Sequence, residues 1–128
     1  MIILLNTSTP VCKLTMLDGG NRYHDEWQAD RTLAKGLLGY LDTNLRKHNK
    51  LWSDIEAIGV FEGPGSFTGL RIGITVMNTI ADAQVIPIVG GRGDNWQADV
   101  LEKLANNQNY KIVLPFYGSE AHITTPKK

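Results

Sequence analysis

The sequence predicts an α/β fold: a mixed five-stranded sheet with helices on both faces. Three observations point there. Three strand-like segments open the chain, the second and third joined by Asp18-Gly19-Gly20-Asn21, a hairpin signal. From residue 33 onward, helical-period segments alternate with short apolar runs, the order of a sheet with helices on its faces. The 128 residues, 42% of them hydrophobic, suit one domain. A chain of this size buries about two-thirds of its unfolded surface, so a core forms without disulfide or metal.

Residues 2–5, Ile-Ile-Leu-Leu, form a continuous apolar run, the pattern of a strand buried on both faces. A polar turn follows over 6–10. Residues 11–17 alternate, with Cys12, Leu14 and Met16 on one face, and residues 22–28 return as a third strand carrying Tyr23 and Trp27. Residues 33–48 have helical spacing: Leu33, Leu37, Leu41 and Leu45 make a stripe, widened by Ala34 and Leu38. Asp30 or Thr32 can cap its start, and Arg46, Lys47 and His48 suit its last turn. Gly36 and Gly39 lie opposite the stripe.

Residues 53–56 make a capped turn and 57–61 a buried strand. The loop Glu62-Gly63-Pro64-Gly65 leads into a second helix over 66–84. On that helix Leu70, Ile74, Met77 and Ala81 form one apolar stripe, and Ile72, Val76, Ile80 and Ala83 form another. The combined arc of about 220° is wider than one sheet face requires, so other helices of the chain or another protein must cover the remainder. Residues 85–89 read as the fifth strand, followed by a Gly90-Gly91-Arg92-Gly93 turn. Asp94 is placed to cap a third helix ending near Asn106. Residues 111–114 suggest a last short strand before a polar surface tail.

Lys+Arg 13 against Asp+Glu 13 leaves no formal net charge, so only a local basic patch could bind nucleic acid. The single cysteine, Cys12, excludes an internal disulfide and a cysteine-rich zinc site. No N-terminal run approaches a membrane span or a signal-peptide core. The expectation is a soluble cytoplasmic protein with no membrane contact.

The glycine loop sits between a strand and a helix, where an anion can bind. Its spacing, however, fits none of the phosphate-loop, dinucleotide or nucleophile-elbow patterns: Leu70-Arg71 follows Gly69, Thr68 stands where a third glycine is required, and Pro64 and Thr68 flank Ser66. A tight turn capped by Ser66 explains it without a ligand. A ribonuclease-type metal site needs an acidic residue on the first strand. Asn6 is neutral there, and Glu62, Asp94 and Asp99 make an incomplete set. His24, His48 and His122 share no ligand spacing. Residues 46–50 read as a solvated helix end or a weak phosphate contact, and Arg92-Gly93-Asp94 as a turn and cap.

The run Gly63-Pro64-Gly65-Ser66-Phe67-Thr68-Gly69-Leu70-Arg71-Ile72-Gly73 closely resembles the signature of the TsaB family, accessory subunits of bacterial tRNA threonylcarbamoyladenosine (t6A) synthesis. The opening Ile2-Ile3-Leu4-Leu5-Asn6-Thr7-Ser8-Thr9 is similar to that family's first strand and turn. The resemblance implies a ribonuclease-H-like lobe of the actin and sugar-kinase superfamily over residues 1–110. Residues 111–128 then form a short strand and tail, and the family's usual second lobe is missing. It also implies a non-catalytic subunit that binds and activates the transferase TsaD through the first two helices, helped indirectly by the ATPase TsaE, with no catalytic residue, cofactor or metal of its own. The interface expected from it uses Leu37 and Tyr40 on the first helix and Ile72, Thr75, Val76 and Thr79 on the second, with Gly69 and Gly73 permitting close approach.

Two departures bear on this. Family members usually carry Asp where this chain has Asn6, which makes nucleotide binding less expected. A one-lobe chain also lacks an inter-lobe cleft. The alternative from another class is a minimal phosphate-binding or metal-dependent hydrolase using Glu62, Asp94 and the loop. The same helical face also allows a homodimer when no partner is present. Nothing in the residues speaks for direct tRNA contact.

Overall fold

A computed structural model describes residues 1–117. Five strands form one sheet in the order β3-β2-β1-β4-β5. Strand β1 (Ile2–Asn6) is central; its Ile3, Leu4 and Leu5 are each 1% exposed, as a continuous apolar run requires. It pairs antiparallel with β2 (Val11–Asp18) and parallel with β4 (Ala57–Gly63). Strand β3 (Asn21–Gln28) closes the hairpin, with Asp18 opposite Asn21 and Gly19 at φ +62° in the turn. That dihedral is the left-handed region a two-residue hairpin turn demands. Strand β5 (Ile88–Arg92) lies parallel to β4 at the other edge.

Alternation along the strands decides what each face meets. Cys12, Leu14 and Met16 are buried on the face covered by α1 (Leu33–Lys47), whose Leu33, Leu37, Leu41 and Leu45 are all in the core. Tyr23, Asp25 and Trp27 of β3 point the same way: Tyr23 stacks on His48 at 3.8 Å and Trp27 on Tyr40 at 4.9 Å. Helix α2 (Phe67–Gln84) packs on β4 and against α1. Its first stripe, Leu70, Ile74, Met77 and Ala81, together with Ile80, is the buried one. On the opposite face, α3 (Trp96–Ala105) lies over β4 and β5. A Cβ at Gly59 would run into Val100, and Phe61 meets Trp96 edge-on at 5.6 Å. Helices therefore cover both faces, as expected.

Four local expectations are corrected. Strand β5 starts at Ile88, three residues later than expected, because Val85 takes a left-handed conformation (φ 56°) that ends α2. Gly90 and Gly91 lie inside that strand rather than in a turn, since their missing side chains leave room for Glu62 and for Trp96 of α3. Asp94 does not cap α3; Asn95 holds the cap position without a side-chain bond. Residues 111–114 are not a strand. Lys111 has φ 66°, and Val113 is held by the Asn78 side chain, which accepts from its N–H at 2.9 Å and donates to its carbonyl at 3.0 Å. The tail beyond residue 117 lies outside the described residues.

Two polar contacts to one carboxylate tie α1 to β3. Tyr40 Oη donates to Asp25 at 2.6 Å, and Lys47 Nζ lies 3.5 Å from the same carboxylate. The tyrosine hydrogen bond, with help from Lys47, holds the Asp25 carboxyl below its ordinary range. Burial, then Asp25, pushes the Tyr40 hydroxyl above the tyrosine range. Both signs predict a stability loss at the extremes. Below about pH 4 the unfolded chain takes up a proton on Asp25 that the folded chain resists; above about pH 10 it releases the Tyr40 proton that the folded chain keeps. Urea unfolding across pH should show both declines. Tyr40→Phe should shrink both, leaving the alkaline loss that comes from Cys12, whose thiol burial pushes up to about 12; unchanged profiles would refute the coupling.

Candidate functional site

The glycine signature is a docking surface for the chain's own β1–β2 turn. Ser66 caps α2, its Oγ accepting from Gly69 N–H at 3.2 Å, as the sequence suggests. Ser8 O accepts from Ser66 N–H at 2.8 Å, and Thr7 Oγ1 donates to Gly69 O at 2.7 Å. Asn6 Oδ1 accepts from Ser8 N–H at 2.9 Å and from Ser8 Oγ at 2.6 Å, which shapes the turn. A Cβ added at Gly65 would lie 2.9 Å from Ser8 O. One at Gly69 would strike Thr7 O, and one at Gly73 would lie 2.8 Å from Thr7 Cγ2 and 2.9 Å from Thr7 Cβ. The expectation that Gly69 and Gly73 open α2 to a partner helix is therefore corrected: the space they leave is filled by Thr7.

At the far end of the loop, Gly63 adopts φ +132° and its Cα faces Phe116 O, leaving no space for a side chain. Phe116 N–H donates to Glu62 O at 2.7 Å, the Arg92 guanidinium lies 4.0 Å above the Phe116 ring, and Tyr117 packs on Phe67 at 4.5 Å. Pro64, Gly65, Ser66, Phe67 and Thr68 are exposed at the turn. Glu62 is buried, and its carboxylate accepts from Arg92 Nε at 2.7 Å. Asp94 is exposed at the start of α3, and Asp99 pairs with Lys103 at 3.0 Å. Glu62 and Asp99 line one pocket of about 270 Å³, each already paired with a cation, and Asp94 is not among its lining residues. Among the described residues no three His, Cys, Asp or Glu side chains stand together as metal ligands. His24 bonds to Thr15 and Glu26, His48 stacks on Tyr23, and His122 lies outside the described residues.

The basic run at 46–50 is internally neutralised. Arg46 pairs with Asp42 at 2.7 Å, Lys47 with Asp25 at 3.5 Å and Lys50 with Asp18 at 2.6 Å. A phosphate would have to compete with those carboxylates.

The open surface is the groove between α1 and α2. It has a volume of about 370 Å³ and is lined by Ala34, Thr68, Arg71, Ile72, Thr75 and Val76. Ile72 and Val76 are half-buried, while Thr75 and Thr79 are exposed, so these four predicted residues share the outer side of α2. Thr79 Oγ1 donates back to Thr75 O at 2.9 Å. Two predicted contacts are corrected. Leu37 is 0% exposed and belongs to the core, and Tyr40 is turned toward Asp25 and Trp27 of β3. On α1 the groove is lined by Ala34; Ala34 and Leu38, expected to widen the buried stripe, are both exposed, Leu38 at 56%.

The chain is similar to known proteins in sequence and in fold. The family profile "TsaD: tRNA N6-adenosine threonylcarbamoyltransferase" matches residues 27–90. The "tRNA threonylcarbamoyladenosine biosynthesis protein TsaB" of Haemophilus influenzae is 34% identical over 90 residues, covering 68% of this chain and 38% of the relative. A "tRNA N6-adenosine threonylcarbamoyltransferase" of Bacillus thuringiensis is 42% identical over 62 residues, covering 48% of this chain and 18% of the relative. The solved structure of YeaZ from Pseudomonas aeruginosa superposes with a TM-score of 0.67 at 31% identity, covering 71% of this chain and 43% of that one. The chain thus spans about two-fifths of the TsaB and YeaZ proteins it matches.

Proposed function

The chain belongs to the family of TsaD, tRNA N6-adenosine threonylcarbamoyltransferase, and within it to the TsaB/YeaZ members, and from that membership we propose that it is a non-catalytic partner which binds and activates a TsaD-like transferase in t6A modification of tRNA. Its sheet is the ribonuclease-H-like lobe of the actin and sugar-kinase superfamily. The observation that carries the proposal is the α1–α2 groove, an open, methyl-rich surface on the outer side of a helix whose inner stripe already satisfies the sheet. In this reading residues 1–110 are the binding lobe, and a TsaE-like ATPase acts on the pair rather than on this chain. The pairing of Glu62 with Arg92 and the neutral Asn6 favour a binding role over a hydrolytic one.

Calorimetric titration against the cognate transferase, with and without nucleotide, tests the proposal. Saturable one-to-one binding is expected. Val76→Asp should weaken it by about 30-fold or more, the cost of a charge at a central apolar contact. A folded wild-type chain that does not bind would sink the proposal.

A further inference from the structure

The α1–α2 groove carries one charge. Of its six lining residues only Arg71 is ionised; Ala34, Thr68, Ile72, Thr75 and Val76 all present methyl groups. Arg71 is exposed, and among the described residues it makes no ion pair. Its guanidinium is held 5.1 Å from the centroid of the Phe67 ring, which places the charge at the end of the groove near the N-terminus of α2. The adjoining crevice adds Arg31, with Asp30 beside it already accepting from Gln28 at 2.9 Å.

Covering this groove with protein removes Arg71 from water. A guanidinium desolvated without a counter-charge opposes binding, whereas one that meets a carboxylate forms two parallel, charge-assisted hydrogen bonds. The lining positions on α2 recur at 68, 71/72 and 75/76, the spacing of ridges that receive another helix. Thr68 and Thr75 on α2 and Ala34 on α1 are small enough for its axis to come close. We infer that the occupant of this groove is a partner helix with an apolar face and one carboxylate at the end that meets Arg71, and that this ion pair selects the partner. The inference rests on the reading above that a TsaD-like protein covers the groove, and supplies the chemistry of its docking helix. An RNA strand fits worse: its phosphates call for several cations, and the groove offers Arg71 alone, with Arg31 beside Asp30 in the adjoining crevice, on a chain of zero net charge.

The test is titration of the cognate transferase at low and high salt with wild type, Arg71→Met, Arg71→Lys and Arg46→Met. Arg46, bonded to Asp42 near the other end of α1, controls for loss of one positive charge. Arg71→Met should weaken low-salt binding by about tenfold or more and flatten the salt dependence. Arg71→Lys should recover only part of the affinity, since it keeps the charge without the fork, and Arg46→Met should match wild type. Replacing the acidic residue of the transferase's docking helix by Lys should abolish binding, and Arg71→Glu should restore it. Thermal melts confirm that each variant folds. Tight wild-type binding with Arg71→Met unchanged in affinity and salt response overturns the inference while leaving the proposed function standing. Absence of wild-type binding defeats the proposed function itself. Loss of tRNA affinity, or of self-association in sedimentation, with transferase binding unchanged would assign Arg71 to a phosphate or to a second copy and overturn the inference.

Discussion

Gly73→Leu is expected to unfold the protein rather than merely weaken an interface. Gly73 is buried, and a Cβ there already lies within 3 Å of Thr7 Cγ2 and Cβ. A leucine would add three more carbons to a site that has no room for the first. Moving Thr7 aside breaks its 2.7 Å hydrogen bond to Gly69 O and lifts the β1–β2 turn off α2. Replacing a helical glycine returns about 1 kcal/mol of helix propensity, but overpacking at a contact this tight costs more, about 3 kcal/mol or above in net stability. That is a large part of the total for a domain of this size. Urea unfolding followed by circular dichroism reads it directly, and a cooperative transition at the wild-type midpoint would refute this account of the glycines.

The second large effect separates two neighbouring leucines. Leu37 is 0% exposed between α1 and the sheet, and Leu38 is 56% exposed beside Ala34. Leu37→Ala removes three buried carbons and leaves a cavity that packed neighbours fill only in part, at a cost of about 2–5 kcal/mol. Leu38→Ala should stay within about 0.5 kcal/mol of wild type. The two midpoints measured side by side decide the matter. A small loss at Leu37, or a large one at Leu38, would mean that α1 is rotated from the orientation described.

Much of this fold is legible because periodicity is a strong signal. The hairpin glycines mark the β2–β3 turn and the leucine stripe of α1 states which face is buried, and both lie where their spacing puts them; the two apolar stripes of α2 were legible as stripes, but only the fold shows that Leu70, Ile74, Met77 and Ala81 form the inner one. The β5 boundary was hidden for a specific reason. Val85 is β-branched and reads as a strand residue, yet it adopts the left-handed cap of α2, a conformation such residues seldom take. The glycines were legible as a motif but not as a mechanism. Their spacing allows close approach, but only the fold brings Thr7 and Ser8, some sixty residues earlier in the chain, into the gap. The same holds for residues 113–117, whose anchors Asn78, Glu62 and Arg92 are far away in sequence. Ile72, Thr75, Val76 and Thr79 do lie on the outer side of α2, whereas Leu37 of α1 lies on the core stripe that the sequence itself displays.

The keying of α2 onto the β1–β2 turn limits how such a protein can diverge. With Thr7 seated between Gly69 and Gly73 and bonded to the backbone, α2 cannot slide or roll by one residue without driving a side chain into the turn. The backbone contour of the groove is thus inherited with the glycines. A lineage that changes partners has only the side chains lining the α1–α2 groove to vary. If the groove docks a partner as proposed, specificity in this architecture changes by repainting a fixed relief, so descendants should preserve the shape of the groove long after its chemistry has drifted.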